Sequence, residues 1–130
     1  MILIGYLAAA AVFLAVDALW LGRVARGFYA AEYGDLLRPK PRLGAAAAFY
    51  LAYLAGLAYF AVAPSLDGDA WDAAIDGGLY GLACYGTYHL TNLATLKRWP
   101  MRLLAVDMGW GAGLSAVSAV AGRAAALSVG

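Results

Sequence analysis

The chain has 130 residues, a formal net charge of +1, 65% hydrophobic and 13% charged residues, and a mean hydropathy of +0.73. Soluble domains average about 45–50% apolar and about 25% charged residues, so this composition excludes an ordinary soluble enzyme and a disordered chain, and fits one integral membrane domain. The single cysteine, Cys84, sits in an apolar run and excludes a disulfide framework.

Residues 1–22 are apolar except for Asp17 and long enough to span a bilayer at about 1.5 Å per residue. They lack a basic leader and a convincing cleavage site, so they are expected to stay as a span and not to be removed as a signal peptide. Residues 23–42 form a first connection, with Arg23, Arg26, Arg38, Lys40 and Arg42 set against Glu32 and Asp35. Phe28, Tyr29 and Tyr33 lie among these charges, as aromatic residues do at a membrane–water interface, which predicts a short interfacial helix ended by Pro39 and Pro41. Residues 43–63 are the second span, closed by Pro64. Tyr50, Tyr53, Gly56, Leu57 and Phe60 follow the helical period there, and the tyrosine hydroxyls need partners at that depth.

A loop with Asp67, Asp69 and Asp72 leads to a third span over residues 73–96, where Gly77 and Gly81 allow another helix to approach closely. Lys97, Arg98 and Trp99 close it at the interface. Pro100 suits the first turn of a fourth span, residues 101–121, which carries Asp107 and a second small pair, Gly109 and Gly113. Arg123 falls past its expected end. Eight of the nine basic residues lie in or beside the first and third connections, and none in the second. The positive-inside rule therefore predicts an all-α bundle of four spans with both termini extracytoplasmic.

One stretch inside this apolar chain is polar. Tyr85, Tyr88, His89 and Asn92 stand at i, i+3, i+4 and i+7, one face of a helix. Asp17 and Asp107 each open an Asp-x-x-Trp motif, closed by Trp20 and Trp110, in spans that run in opposite directions. Helix rise puts Asp107 and His89 about 10 Å inside the basic boundary and Asp17 at a similar or smaller depth. Polar groups from three helices thus share one level, where they are costly and usually mark a site. The plainer alternatives are that Asn92 clamps helices, that Thr87, Thr91 and Thr95 bond back to their own helix, and that the two tryptophans are interfacial anchors or walls. Two acids and one imidazole make a weak metal pattern; they would serve equally as an acid/base pair.

The run Tyr85-Gly86-Thr87-Tyr88-His89-Leu90-Thr91-Asn92 with Trp99-Pro100, together with Asp17 to Gly22 and Asp107 to Gly111, resembles the signature of an uncharacterised family of small bacterial inner-membrane proteins. The resemblance covers nearly the whole chain and implies a multi-pass protein of the cytoplasmic membrane. It implies no activity or cofactor. It also implies aspartate at the position of His89, which weakens any mechanism that needs an imidazole there.

Three readings follow. The first is a binding or transport module that takes a cation or a small polar or lipid head group at Asp17, Trp20, Tyr85, Tyr88, His89, Asn92, Asp107 and Trp110. The second is a small enzyme acting on a lipid-like substrate, with Asp107 and His89 as acid and base. The third is an accessory subunit whose polar residues only fasten helices. Membrane lipid is the expected partner and nucleic acid is not, since the basic residues set topology and no nucleic-acid fold accompanies them. Transport by so short a chain demands a homo-oligomer, which the small-residue pairs permit.

Overall fold

The computed structural model describes residues 1–130. It is helical throughout, with no strand. Helix α1 (Ile2–Leu19) continues as a π turn over Trp20–Val24, in which the Ala25 amide donates to the Trp20 carbonyl five residues back at 2.7 Å. The chain then turns directly into α2 (Arg26–Tyr33). This short helix ends at Gly34, whose φ of 59° favours glycine, and a 3₁₀ turn, Gly34–Leu36, follows. The stop therefore comes from Gly34, five residues before the Pro39 expected to impose it.

Helix α3 (Leu43–Leu57) passes through a second π turn (Ala58–Val62) and runs on to Ser65. Pro64 lies within its last turn and does not close it. Helix α4 (Ala70–Thr95) starts at a reciprocal capping box: the Asp69 carboxylate accepts from the Asp72 amide at 3.1 Å, and the Asp72 carboxylate from the Asp69 amide at 2.9 Å. Helix α5 (Met101–Ser128) continues well past residue 121. Arg123 is consequently inside a helix, where its guanidinium donates to the carbonyls of Ser65 and Gly68 at 2.9 and 2.7 Å and ties α5 to the α3–α4 turn.

Only 26 of the 130 residues are buried, while leucines, isoleucines and valines along α1, α3 and α5 face outward. A soluble fold would hide such side chains; a lipid-embedded one leaves them on its surface. Three stretches, Ile2–Val24, Leu43–Ser65 and Met101–Ser128, are long and apolar enough to cross a membrane. Helix α4 has the length, 26 residues or about 39 Å, but carries Asp72, Asp76, His89, Asn92 and several glycines and tyrosines.

Helices α4 and α5 pack against each other along most of their length, and α1 packs against α5. Glycine makes the α4–α5 contact. A Cβ on Gly77 would lie 2.8 Å from the Ser115 carbonyl, and one on Gly81 2.5 Å from the Gly111 carbonyl. The second small pair behaves differently: space is open around both Gly109 and Gly113, and it is Gly111 that lies under the Tyr85 ring. Helix α3 joins the bundle mainly through its π turn, beside Gly56, which the Tyr80 hydroxyl crosses to reach the Tyr53 carbonyl at 2.9 Å. Its first turns stand away from the other helices, and that divergence opens a cavity.

Candidate functional site

The cavity measures about 920 Å³ and lies between the end of α1, α2, the 36–42 connection, the first half of α3 and the second half of α4. Its walls are mainly apolar and aromatic. Asp17, Asp107, Tyr85, Tyr88 and Asn92 line it, together with residues that sequence reasoning placed elsewhere: Tyr29, Tyr33, Tyr50, Trp99, Arg38 and Arg42.

The two acids are held alike. Asp17 accepts from Tyr50 Oη at 2.8 Å and Trp110 Nε1 at 3.0 Å, one donor to each oxygen. Asp107 accepts from Tyr29 Oη at 2.6 Å on one oxygen and faces His89 Nε2 at 2.5 Å on the other. Trp20 Nε1 in turn donates to Tyr29 Oη at 3.1 Å. Each tryptophan of the Asp-x-x-Trp pair therefore serves the other motif's carboxylate, Trp110 directly and Trp20 through Tyr29. The two indoles stack face to face, with centroids 4.2 Å apart and planes 9° from parallel. Antiparallel helices make this exchange geometrically natural, because one turn forward on α1 is one turn back on α5.

His89 is fully buried between these partners. Its Nδ1 accepts from Trp99 Nε1 at 3.1 Å. An indole N–H only donates, so Nδ1 carries no proton; the proton sits on Nε2 and is donated to Asp107. Both ring nitrogens are thus spent inside the protein, and His89 orients Asp107 without lining the cavity. A neutral imidazole in this position is one donor and one acceptor. We therefore expect His89→Asn, which also offers a donor and an acceptor, to keep most of the parent thermal stability in detergent, and His89→Phe to lose more. Equal melting temperatures for the two variants would show that the Trp99–His89–Asp107 chain contributes nothing.

The remaining expected site residues divide. Tyr85, Tyr88 and Asn92 face the cavity, and Tyr88 Oη is 3.0 Å from Tyr33 Oη. Asn92 lines the cavity, half-buried, and its side chain makes no hydrogen bond to another helix. Thr87, Thr91 and Thr95 do bond back to carbonyls of their own helix. Ser115 pairs with the Tyr53 hydroxyl across helices at 2.5 Å, while Ser118 is buried without a partner. Both acids are largely enclosed by protein: Asp17 has 5% of its surface exposed, and the Asp107 side chain is 14% exposed. Burial pushes the Tyr29 and Tyr33 phenols well above their ordinary range. The Asp107 bond pushes Tyr29 further and the Tyr88 bond pushes Tyr33 further, so both stay protonated at neutral pH and Tyr29 keeps the proton it donates to Asp107. No cluster of three or more His, Cys, Asp or Glu side chains suited to a metal ion forms.

Apolar outer faces, membrane-length helices and a polar cluster confined between them define an all-α membrane protein. Residues 2–124 match the family described as predicted membrane protein (DUF2177), and the chain belongs to it. No curated protein and no solved structure matches the chain.

Proposed function

We propose that the protein is a four-span protein of the bacterial cytoplasmic membrane that binds a cationic group in the cavity between α1, α3 and α4. One observation carries this reading. Asp17 and Asp107 offer four carboxylate oxygens, each met by one neutral donor, and no lysine or arginine comes within 4 Å of either acid. Two carboxylates enclosed in an apolar helix bundle need a countercharge, and the protein supplies only dipoles. A cation in the cavity would complete the set, with Asn92 and the ring faces of Tyr85 and Tyr88 as further contacts. The cavity is much larger than a single ion needs, which favours an organic cation or a cationic head group over a bare metal.

The test is Asp107→Asn, which preserves shape and much of the hydrogen bonding but removes a charge. We expect this variant to fold, to keep the parent oligomeric state and to lose the cationic lipid or small molecule that co-purifies with gently extracted parent protein, as read by native mass spectrometry. Retention of the same species at parent occupancy would defeat the reading. A catalytic role for the Asp107–His89 pair is less well supported, because both His89 nitrogens are engaged within the protein.

The proposed topology has its own check. Exposed Asp67 and Ser128, replaced by cysteine in a Cys84-free background, should react with an impermeant thiol reagent applied outside intact cells; Lys97→Cys should not. Labelling at position 97 from outside would invert the orientation.

A further inference from the structure

The same cavity is acidic within and basic at its edge. Arg38 and Arg42 line it from the 36–42 connection, and neither guanidinium has a carboxylate within 4 Å. Among the arginines at this end of the bundle only Arg102 has a carboxylate within reach, 3.7 Å away on Glu32, and it also lies over the Phe28 ring; of the arginines without one, Arg38 and Arg42 line the cavity. Pro39 and Pro41 stiffen the segment that carries the free pair. The connection thus presents two unpaired planar cations to a cavity that also holds two acids without a countercharge. Placement of both on one wall system, with leucines 21, 36, 37 and 96 between and around them, describes a ligand with three parts.

We propose that the cavity takes a zwitterion: an ammonium group against Asp17 and Asp107, and a phosphate bridging Arg38 and Arg42. This deepens the cation-binding reading and rests on it. A bidentate guanidinium suits phosphate oxygens, and enclosure by tyrosine faces suits an ammonium. Two sources carry this chemistry, an ethanolamine phospholipid and a free phosphoethanolamine. In the lipid case the head group points inward and the acyl chains leave over Leu36 and Leu37, which are half exposed beside the cavity.

The experiment uses purified full-length protein in maltoside micelles and follows tryptophan fluorescence, since Trp110 bonds Asp17, Trp20 reaches Asp107 through Tyr29, and Trp99 lines the cavity. Three probes are titrated: short-chain phosphatidylethanolamine, a long-chain alkylammonium with no phosphate, and O-phosphoethanolamine. The parent should bind the phospholipid at least about tenfold more tightly than the alkylammonium. Arg38→Gln/Arg42→Gln should erase that advantage without weakening alkylammonium binding, since it removes only like charge from the cation's surroundings, whereas Asp107→Asn should weaken both. Equal binding of the two amphiphiles by the parent, or an advantage that survives loss of both arginines, would overturn the zwitterion while leaving the cation reading intact. Alkylammonium binding that is absent in the parent, or indifferent to Asp107→Asn and Asp17→Asn, would overturn both. Competition by O-phosphoethanolamine at concentrations comparable to the lipid assigns the site to the free head group, and failure to compete assigns it to the lipid.

Discussion

Gly81→Leu is expected to separate α4 from α5 and to leave little folded protein in detergent. A Cβ alone at this position meets the Gly111 carbonyl at 2.5 Å and the Ser115 hydroxyl at 2.6 Å. The carbonyl is backbone and cannot swing aside, and moving the hydroxyl would break its bond to Tyr53. Overpacking a closed contact costs about 1–3 kcal/mol even where side chains can move, and more where backbone must move. Between helices in lipid this loss is serious, because close packing, and not release of water, holds them together. Gly109→Leu provides the control on the same helix pair. Nothing lies within 4 Å of its Cβ, so its melting temperature should stay near that of the parent. Leucine is the better helix former at either position, so comparable losses for both variants would show that the close contact at Gly81 is not what holds α4 to α5.

The second large effect is expected from Asp17→Ala. Its two hydrogen bonds join three helices: Asp17 on α1, Tyr50 on α3 and Trp110 on α5. Helix α3 otherwise meets the bundle mainly through its π turn, so Tyr50 is the principal polar tether of its first half. Removing the carboxylate strands an indole N–H and a phenol. Each stranded group costs about 1–3 kcal/mol in a soluble core and less between membrane helices. Asp107→Ala also strands two donors, on Tyr29 and His89, but α4 and α5 stay fastened by the glycine contact. Asp17→Ala should therefore lower the melting temperature more than Asp107→Ala, and should expose the first half of α3 to limited proteolysis. The reverse order would show that the His89–Asp107 bond, not the Asp17 hub, organises the bundle.

The helices and the polar cluster were legible in the sequence for separable reasons. Long apolar runs bounded by arginine and proline mark membrane helices almost irrespective of tertiary structure, since the bilayer sets their length. Asp17, His89 and Asp107 stood out because an acid or imidazole in such a run is costly. The partners did not stand out, because tyrosine and tryptophan are at home both in a membrane interface and in a core. Tyr29 and Trp99 read as interfacial from their charged neighbours, yet Tyr29 donates to Asp107 and Trp99 to His89. Tyr50 carried the one usable hint, a hydroxyl at depth in need of an acceptor. The role of Gly111 as the seat for Tyr85, in place of the Gly109/Gly113 pair, depends on the rotation of α5 about its own axis. Three glycines at alternate positions do not encode that rotation. Arg123 was misplaced for a simpler cause: α5 continues beyond the length a bilayer requires, so the span criterion ended it too soon.

The stacked Trp20 and Trp110 rings give the protein a built-in optical gauge. Two parallel indoles 4.2 Å apart couple their electronic transitions, and one ring rides on the π turn that continues α1 and the other on α5. Their exciton signal reports the distance between these two helices alone, with no dye attached. Any motion that parts α1 from α5 must extinguish it, whereas a motion confined to α3 or to the 36–42 connection leaves it intact. Circular dichroism thus separates a cavity whose mouth flexes from a bundle whose core opens.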